Sequence, residues 1–207
     1  LQSKILMNDL PDQPALKKLS LGLTRMQHLV SQLLTLAQQD VLLPQQTQFS
    51  HVALHDVVQE CVEQLMDLAL QKEQDLGFIQ YNEIYLESLP ASLHSIVFNL
   101  IDNAIKYTPI QGVINLSLAI EKEKNYASLC IEDSGAGIPE QHYQDILKRF
   151  YRVQNHSEVG SGLGLSIVHQ AVQHLGGTIN FSRSVQLGGL HVEIQFPLSP
   201  TASPEFK

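Results

Sequence analysis

Residues 114–139 read INLSLAIEKEKNYASLCIEDSGAGIP. In the first half Ile114, Leu116, Leu118 and Ile120 alternate with the polar Asn115 and Ser117. In the second, Leu129 and Ile131 alternate with Ser128 and Cys130. A period of two puts the apolar set on one face of a pleated strand and the polar set on the other. The pattern returns in Leu190, Val192, Ile194 and Phe196, set between His191, Glu193 and Gln195. Strands buried on one face and solvated on the other imply an antiparallel or mixed sheet with helices on a single side. Three helical stretches supply that cover. One runs from about 54 to 73, with Val57, Val58, Cys61, Leu65, Leu68 and Ala69 on one side. A second runs from Pro90 to Tyr107. The third, from about Gly164 to Leu175, buries Leu165, Val168, Val172 and Leu175 and is stopped by Gly176-Gly177. The fold class is α/β, a two-layer α/β sandwich expected over residues 51–198.

Upstream, Leu19, Leu23, Met26, Val30, Leu33 and Ala37 recur at alternating steps of four and three, which is a heptad seam. Leu16, Leu29, Leu34 and Leu36 widen it, so this helix needs more than one neighbour. Residues 1–41 are expected to be the later part of a helical hairpin from a dimeric bundle; the alternative is a core helix of the main domain. Residues 42–50, with Pro44 and several Gln and Thr, form a polar linker. Residues 199–207 carry two prolines and little apolar content, and are expected to be disordered.

Hydrophobic residues make up 43% of the 207-residue chain and charged residues 16%, the composition of a folded globular protein. A net charge of −8 disfavours binding to nucleic acid or to an anionic membrane surface. Phosphate groups can still be held by backbone amides and one or two local cations. Cys61 and Cys130 are far apart and read as small apolar residues of a reducing compartment. No apolar run is long enough to span a bilayer. The chain opens on Leu1, not Met, and is expected to be an excised piece, so membrane segments of the parent are not addressed by it.

Three further stretches carry chemistry. In residues 99–107, NLIDNAIKY, helical spacing puts Asn99, Asn103 and Lys106 on one face. Carboxamide oxygens are hard neutral ligands suited to Mg2+, and an ammonium offsets phosphate charge. A plain solvated helix face would look the same. Directly after a strand comes Asp133-Ser134-Gly135-Ala136-Gly137-Ile138-Pro139, whose glycines permit a sharp turn and a close backbone approach to a flat ligand. Its carboxylate can accept from an exocyclic amine such as that of adenine; an ordinary strand-to-helix turn is the competing explanation. Gly160-Ser161-Gly162-Leu163-Gly164-Leu165 leads into a helix, offering amides and a helix N-terminus to phosphates. It is neither a Walker loop nor a dinucleotide fingerprint. Before it lies a long stretch with Phe150-Tyr151-Arg152, which reads as a mobile lid with one cation able to reach phosphates.

In this order the segments resemble the N, G1, F and G2 boxes of the histidine-kinase ATP-binding domain, the Bergerat fold shared with gyrase, MutL and Hsp90. The likeness covers about residues 52–198, and residues 1–41 resemble the end of a kinase dimerization and phosphoacceptor hairpin. The sequence further resembles kinases of the QseC and PmrB type that are paired with OmpR-type response regulators. The resemblance implies ATP and Mg2+ as cofactors. Asn103 would ligate the metal, Asn99 and Lys106 would lie near the phosphates, and Tyr107 would line the site. Asp133 would read the adenine amine, with Gly135, Gly137 and Ile138 shaping the pocket. Phe150, Arg152 and the loop Gly160, Ser161, Gly162, Leu163, Gly164 and Leu165 would close over the phosphates. Asn99, Lys106 and Arg152 would serve catalysis. A homodimer, a response-regulator partner and a location at the cytoplasmic side of the bacterial inner membrane are implied for the intact protein, with membrane contact only through upstream segments.

The family's phosphoacceptor histidine is followed by Glu and then, a few residues on, by Pro. None of the nine histidines here is followed by Glu; His55-Asp56 comes nearest but lacks the proline, and His28 lies on the wrong helix of the hairpin. The acceptor is expected upstream of Leu1. A rival reading is an ATPase module that uses hydrolysis to drive a conformational change. It would place a Glu one helical turn before the metal-binding Asn, where this chain has Asn99, an amide unable to take a proton. A nucleotide-free dimerization and docking scaffold is the third reading.

Overall fold

The computed structural model describes residues 49–153 and 161–198. They lie in the second of two compact units, which begins at Gln46. The expectations for a helical hairpin over 1–41, most of the linker, the tail and Gly160 therefore fall outside the described residues.

Among the described residues, seven strands and three helices follow one another as β1 (Ser50–Ala53), α1 (Leu54–Gln71), β2 (Asp75–Gln80), β3 (Tyr85–Ser88), α2 (Pro90–Tyr107), β4 (Val113–Glu121), β5 (Tyr126–Asp133), α3 (Gly164–His174), β6 (Thr178–Arg183) and β7 (Leu190–Pro197). The main sheet has the order β2-β4-β5-β7-β6, with β2 parallel to β4 and the other pairs antiparallel. β1 and β3 form a separate antiparallel pair. The alternation in residues 114–131 and 190–196 resolves as expected. Ile114, Leu116, Leu118, Leu129, Ile131, Val192, Ile194 and Phe196 join one core with Leu54, Val58 and Leu65 of α1, much of α2, and Val168 and Val172 of α3. The opposite row, Asn115↔Glu132↔His191, lies on the other face. The result is the two-layer sandwich read from the sequence.

α2 packs against both α1 and α3, which puts it at the centre of the helical layer. Pro90 sits in its first turn, where its missing N–H costs nothing. Gly176, at φ +69°, terminates α3 as expected, with Leu175 just beyond the helix. Burial pushes the Cys61 thiol up to about 12, with Glu60 adding to the effect, so it stays protonated within the core. Among the described residues no helix is long and apolar enough to cross a membrane.

Candidate functional site

A cleft of about 110 Å³ opens between α2, the end of β5 and the start of α3. Of the residues singled out from sequence, Asn103, Tyr107, Asp133, Gly137, Ile138, Arg152 and Leu165 line it. Three segments distant in the chain therefore meet at one place.

α2 turns its apolar side, including Leu93, Val97 and Ile101, into the core. Asn99 is 5% exposed, and its Nδ2 donates to the Ser95 carbonyl at 2.7 Å. Asn103 stands one turn further, half-buried on the cleft wall. Gly164, the first residue of α3, faces both amides. A Cβ there would lie 3.2 Å from Asn99 Oδ1 and 3.4 Å from Asn103 Nδ2. The glycine lets the N-terminal end of α3, which has no side-chain cap, come up to the carboxamides. Lys106 lies in the last turn of α2, its Nζ 5.7 Å from the centre of the Tyr107 ring.

Asp133 ends β5 at the opposite side of the cleft. Its Oδ1 accepts from the Gly135 amide at 2.8 Å and the Leu190 amide at 3.2 Å. Among the described residues Oδ2 has no hydrogen bond. Burial raises the Asp133 pKa, the two amides oppose the rise, and neighbouring Glu132 adds to it. Gly135 is required here because a Cβ would lie 2.6 Å from the Tyr107 carbonyl oxygen. The glycine turn is thus pressed against the end of α2.

The glycine loop before α3 is tied to the stretch carrying Phe150. Gly162 has φ +72°, and a Cβ on it would lie 2.8 Å from the Phe150 carbonyl carbon. The Phe150 amide donates to the Gly162 carbonyl at 2.9 Å. Phe150 is 69% exposed, with φ +64°, and does not line the cleft; its backbone makes the attachment. Tyr151 hydrogen-bonds His142 Nδ1 at 2.8 Å. Ser161 Oγ accepts from the Leu163 amide, and Leu163 is buried at 2% exposure, an anchor for the loop. Of the stretch between Pro139 and Gly160 expected as a lid, residues 140–153 are described, and residues 154–160 fall outside the described residues.

Several contributors to the cleft carry no motif in the sequence. Ile131, Ile146, Leu190 and Val192 give the cleft an apolar wall, and Gly189 packs against Asp133. A Cβ on Gly189 would lie 2.2 Å from both the carbonyl oxygen and Oδ1 of Asp133. The pair Gly188-Gly189 ahead of a strand was the available signal, but the partner it touches is 56 positions away in the case of Gly189 and Asp133.

A family model described as "Histidine kinase-, DNA gyrase B-, and HSP90-like ATPase" matches residues 88–200. The chain is 32% identical over 183 residues to the sensor protein QseC of Salmonella typhi, covering 88% of this chain and 39% of that protein. It is 32% identical over 185 residues to the sensor protein kinase PmrB of Pseudomonas aeruginosa, covering 88% and 38%. The chain therefore spans about two-fifths of the length of these curated relatives. The solved mycobacterial sensor histidine kinase MprB aligns with a TM-score of 0.65 at 28% identity, over 74% of this chain and 99% of that one.

Proposed function

The chain belongs to the histidine kinase-, DNA gyrase B-, and HSP90-like ATPase family, and from that premise we propose that it is the catalytic region of a sensor histidine kinase. It binds ATP and presents the γ-phosphoryl group to a histidine, for relay to a response-regulator aspartate. One observation carries this reading. Among the described residues lining the cleft, the only carboxylate is Asp133, and it is held at the β5 end by two backbone amides. The α2 side carries the Asn103 carboxamide instead.

Asp133 Oδ2 accepts from the adenine amine while Ile131, Ile138 and Val192 exclude water around the ring. Asn99 and the loop of residues 160–165 would approach the phosphates, and Lys106 and Arg152 would offset their charge. Asn103 suits Mg2+: its oxygen is a hard neutral donor, and no group of three or more His, Cys, Asp or Glu is present among the described residues to hold a metal without help from phosphates. When bound, the metal would supply neutralisation of phosphate charge. The residues themselves contribute alignment and electrostatics, and the nucleophile comes from elsewhere. Hydrolysis would need a base beside the phosphates to activate water. Asn99 stands where the ATPase reading wants a Glu, which weighs against that reading.

In the intact kinase we place this region at the cytoplasmic side of the bacterial inner membrane, dimerised through the hairpin that the sequence suggests for residues 1–41 and engaging an OmpR-type regulator. Calorimetric titration of the chain with Mg-ATP tests the central claim. Saturable binding is expected, weakened at least about tenfold by Asn103→Ala through loss of one ligand of a charged group. A chain that takes up no Mg-ATP overturns the reading.

A further inference from the structure

Glu132 precedes Asp133 and lies on the opposite face of β5, yet it is 8% exposed. Among the described residues no Lys or Arg forms an ion pair with it. A buried carboxylate without a cation needs hydrogen bonds to offset its lost hydration. Ser184 Oγ donates one to Oε2 at 2.7 Å, a short charge-assisted bond. Asn115 Nδ2 approaches Oε1 at 3.5 Å, and His191 Nδ1 is 3.8 Å from Oε2.

Ser184 is itself buried, at the first position after β6. It closes the turn into β7 three further ways. Its Oγ accepts from the Leu187 amide at 2.9 Å, its amide donates to the Gly189 carbonyl at 2.9 Å, and its carbonyl accepts from the Gly188 amide at 3.0 Å. The far end of the same turn reaches Asp133. The Gly189 amide donates to the Asp133 carbonyl at 3.1 Å, and the Leu190 amide donates to Asp133 Oδ1 at 3.2 Å. The turn therefore grips both sides of the β5 end, through Glu132 on the open face and Asp133 on the cleft face. Asp133 Oδ1 is thus held by the Gly135 amide at 2.8 Å and, through the turn, by the Leu190 amide.

We infer that Glu132 and Ser184 are positioning residues for nucleobase recognition, bracing the β6–β7 turn so that Asp133 keeps Oδ1 on the backbone and offers Oδ2 to the base. This rests on reading Asp133 as the acceptor for the exocyclic amine. The experiment measures affinity for ATP and for purine riboside triphosphate, which lacks the 6-amino group, in the whole chain. Ser184→Ala is expected to lower the ratio of the two affinities about tenfold, chiefly by weakening ATP. Glu132→Leu, which removes the acceptor on the other side of the same bond, is expected to do likewise and carries the test if Ser184→Ala does not fold. A general loss of stability would weaken both nucleotides equally and leave the ratio unchanged, which overturns the inference. Asp133→Asn separates the two levels. If it leaves the ratio of the unmutated chain intact, the reading of Asp133 fails. If it collapses the ratio while Ser184→Ala and Glu132→Leu do not, the brace alone fails.

Discussion

Asp133 is 6% exposed, and burial holds its carboxyl above the ordinary value of 3.8 against the lowering effect of the Gly135 and Leu190 amides. A folded-state pKa above the unfolded one means that the native protein holds the proton more tightly. The group's contribution to stability is then complete below the ordinary value and is lost as pH rises through the raised one. The ionised form of Asp133 is a cost to the fold, which the proposed reading sets against the acceptor it supplies. Asp133→Asn is therefore expected to unfold at a higher temperature than the unmutated chain at pH 7, with the gap closing towards pH 4. The same substitution places a donor where the amine needs an acceptor, so ATP binding should fall about 10- to 100-fold. Thermal unfolding at the two pH values, beside a nucleotide titration, checks both halves. A variant less stable than its parent at pH 7 would show that burial is not the dominant influence on this carboxyl.

α2 owes its position to more than its own sequence. Its limits were legible because Pro90 marks the first turn and the apolar face repeats through Ile105. How its C-terminus is held was not. Lys72 Nζ, from just beyond α1, donates to the carbonyls of Ile105, Lys106 and Thr108 at 2.9, 2.8 and 3.1 Å. Gln74 Nε2 adds bonds to Ile105, Thr108 and Pro109. Carbonyls left over at a helix end are thus satisfied by an ammonium and an amide more than thirty positions away, and the cation also favours the negative end of the helix dipole. Such long-range partners leave no periodic trace. The edge strands β2 and β6 went unread for a related reason. Both border the sheet and keep much of their length exposed, so too few apolar positions alternate to stand out. The inner strands, buried on one face throughout, were plain. Lys72→Met keeps most of the side-chain stem and removes the three bonds; it is expected to cost about 2 kcal/mol in urea unfolding. It should also weaken ATP, because the Tyr107 carbonyl that backs Gly135 belongs to the same helix end. A change within a few tenths of a kcal/mol would mean that Gln74 alone suffices.

Across the molecule, the motifs gained force from being brought together. Asn103, Asp133 and Leu165 each admitted a plain structural explanation in sequence, and one cleft collects them. The histidines are distributed otherwise. His51 stacks on Tyr85, His55 Nδ1 lies 3.1 Å from both the amide and the carbonyl of Ile84, His142 bonds Tyr151, and His191 adjoins Glu132. His94 stacks on Phe98, and His28 and His156 lie outside the described residues. None of the described histidines lines the cleft. In the proposed reading the site aligns a phosphoryl group for an imidazole, and no described residue of its walls supplies one. Incubated alone with labelled ATP and magnesium, the chain is expected to gain no acid-labile phosphate. Given an intact phosphoacceptor hairpin in trans, it should label that partner, and Asn103→Ala should reduce the labelling at least about tenfold. Acid-labile phosphate on the chain alone would mean that one of its own histidines reaches the site. An unlabelled hairpin, with Mg-ATP binding intact, would favour a nucleotide-gated module that transfers no phosphate.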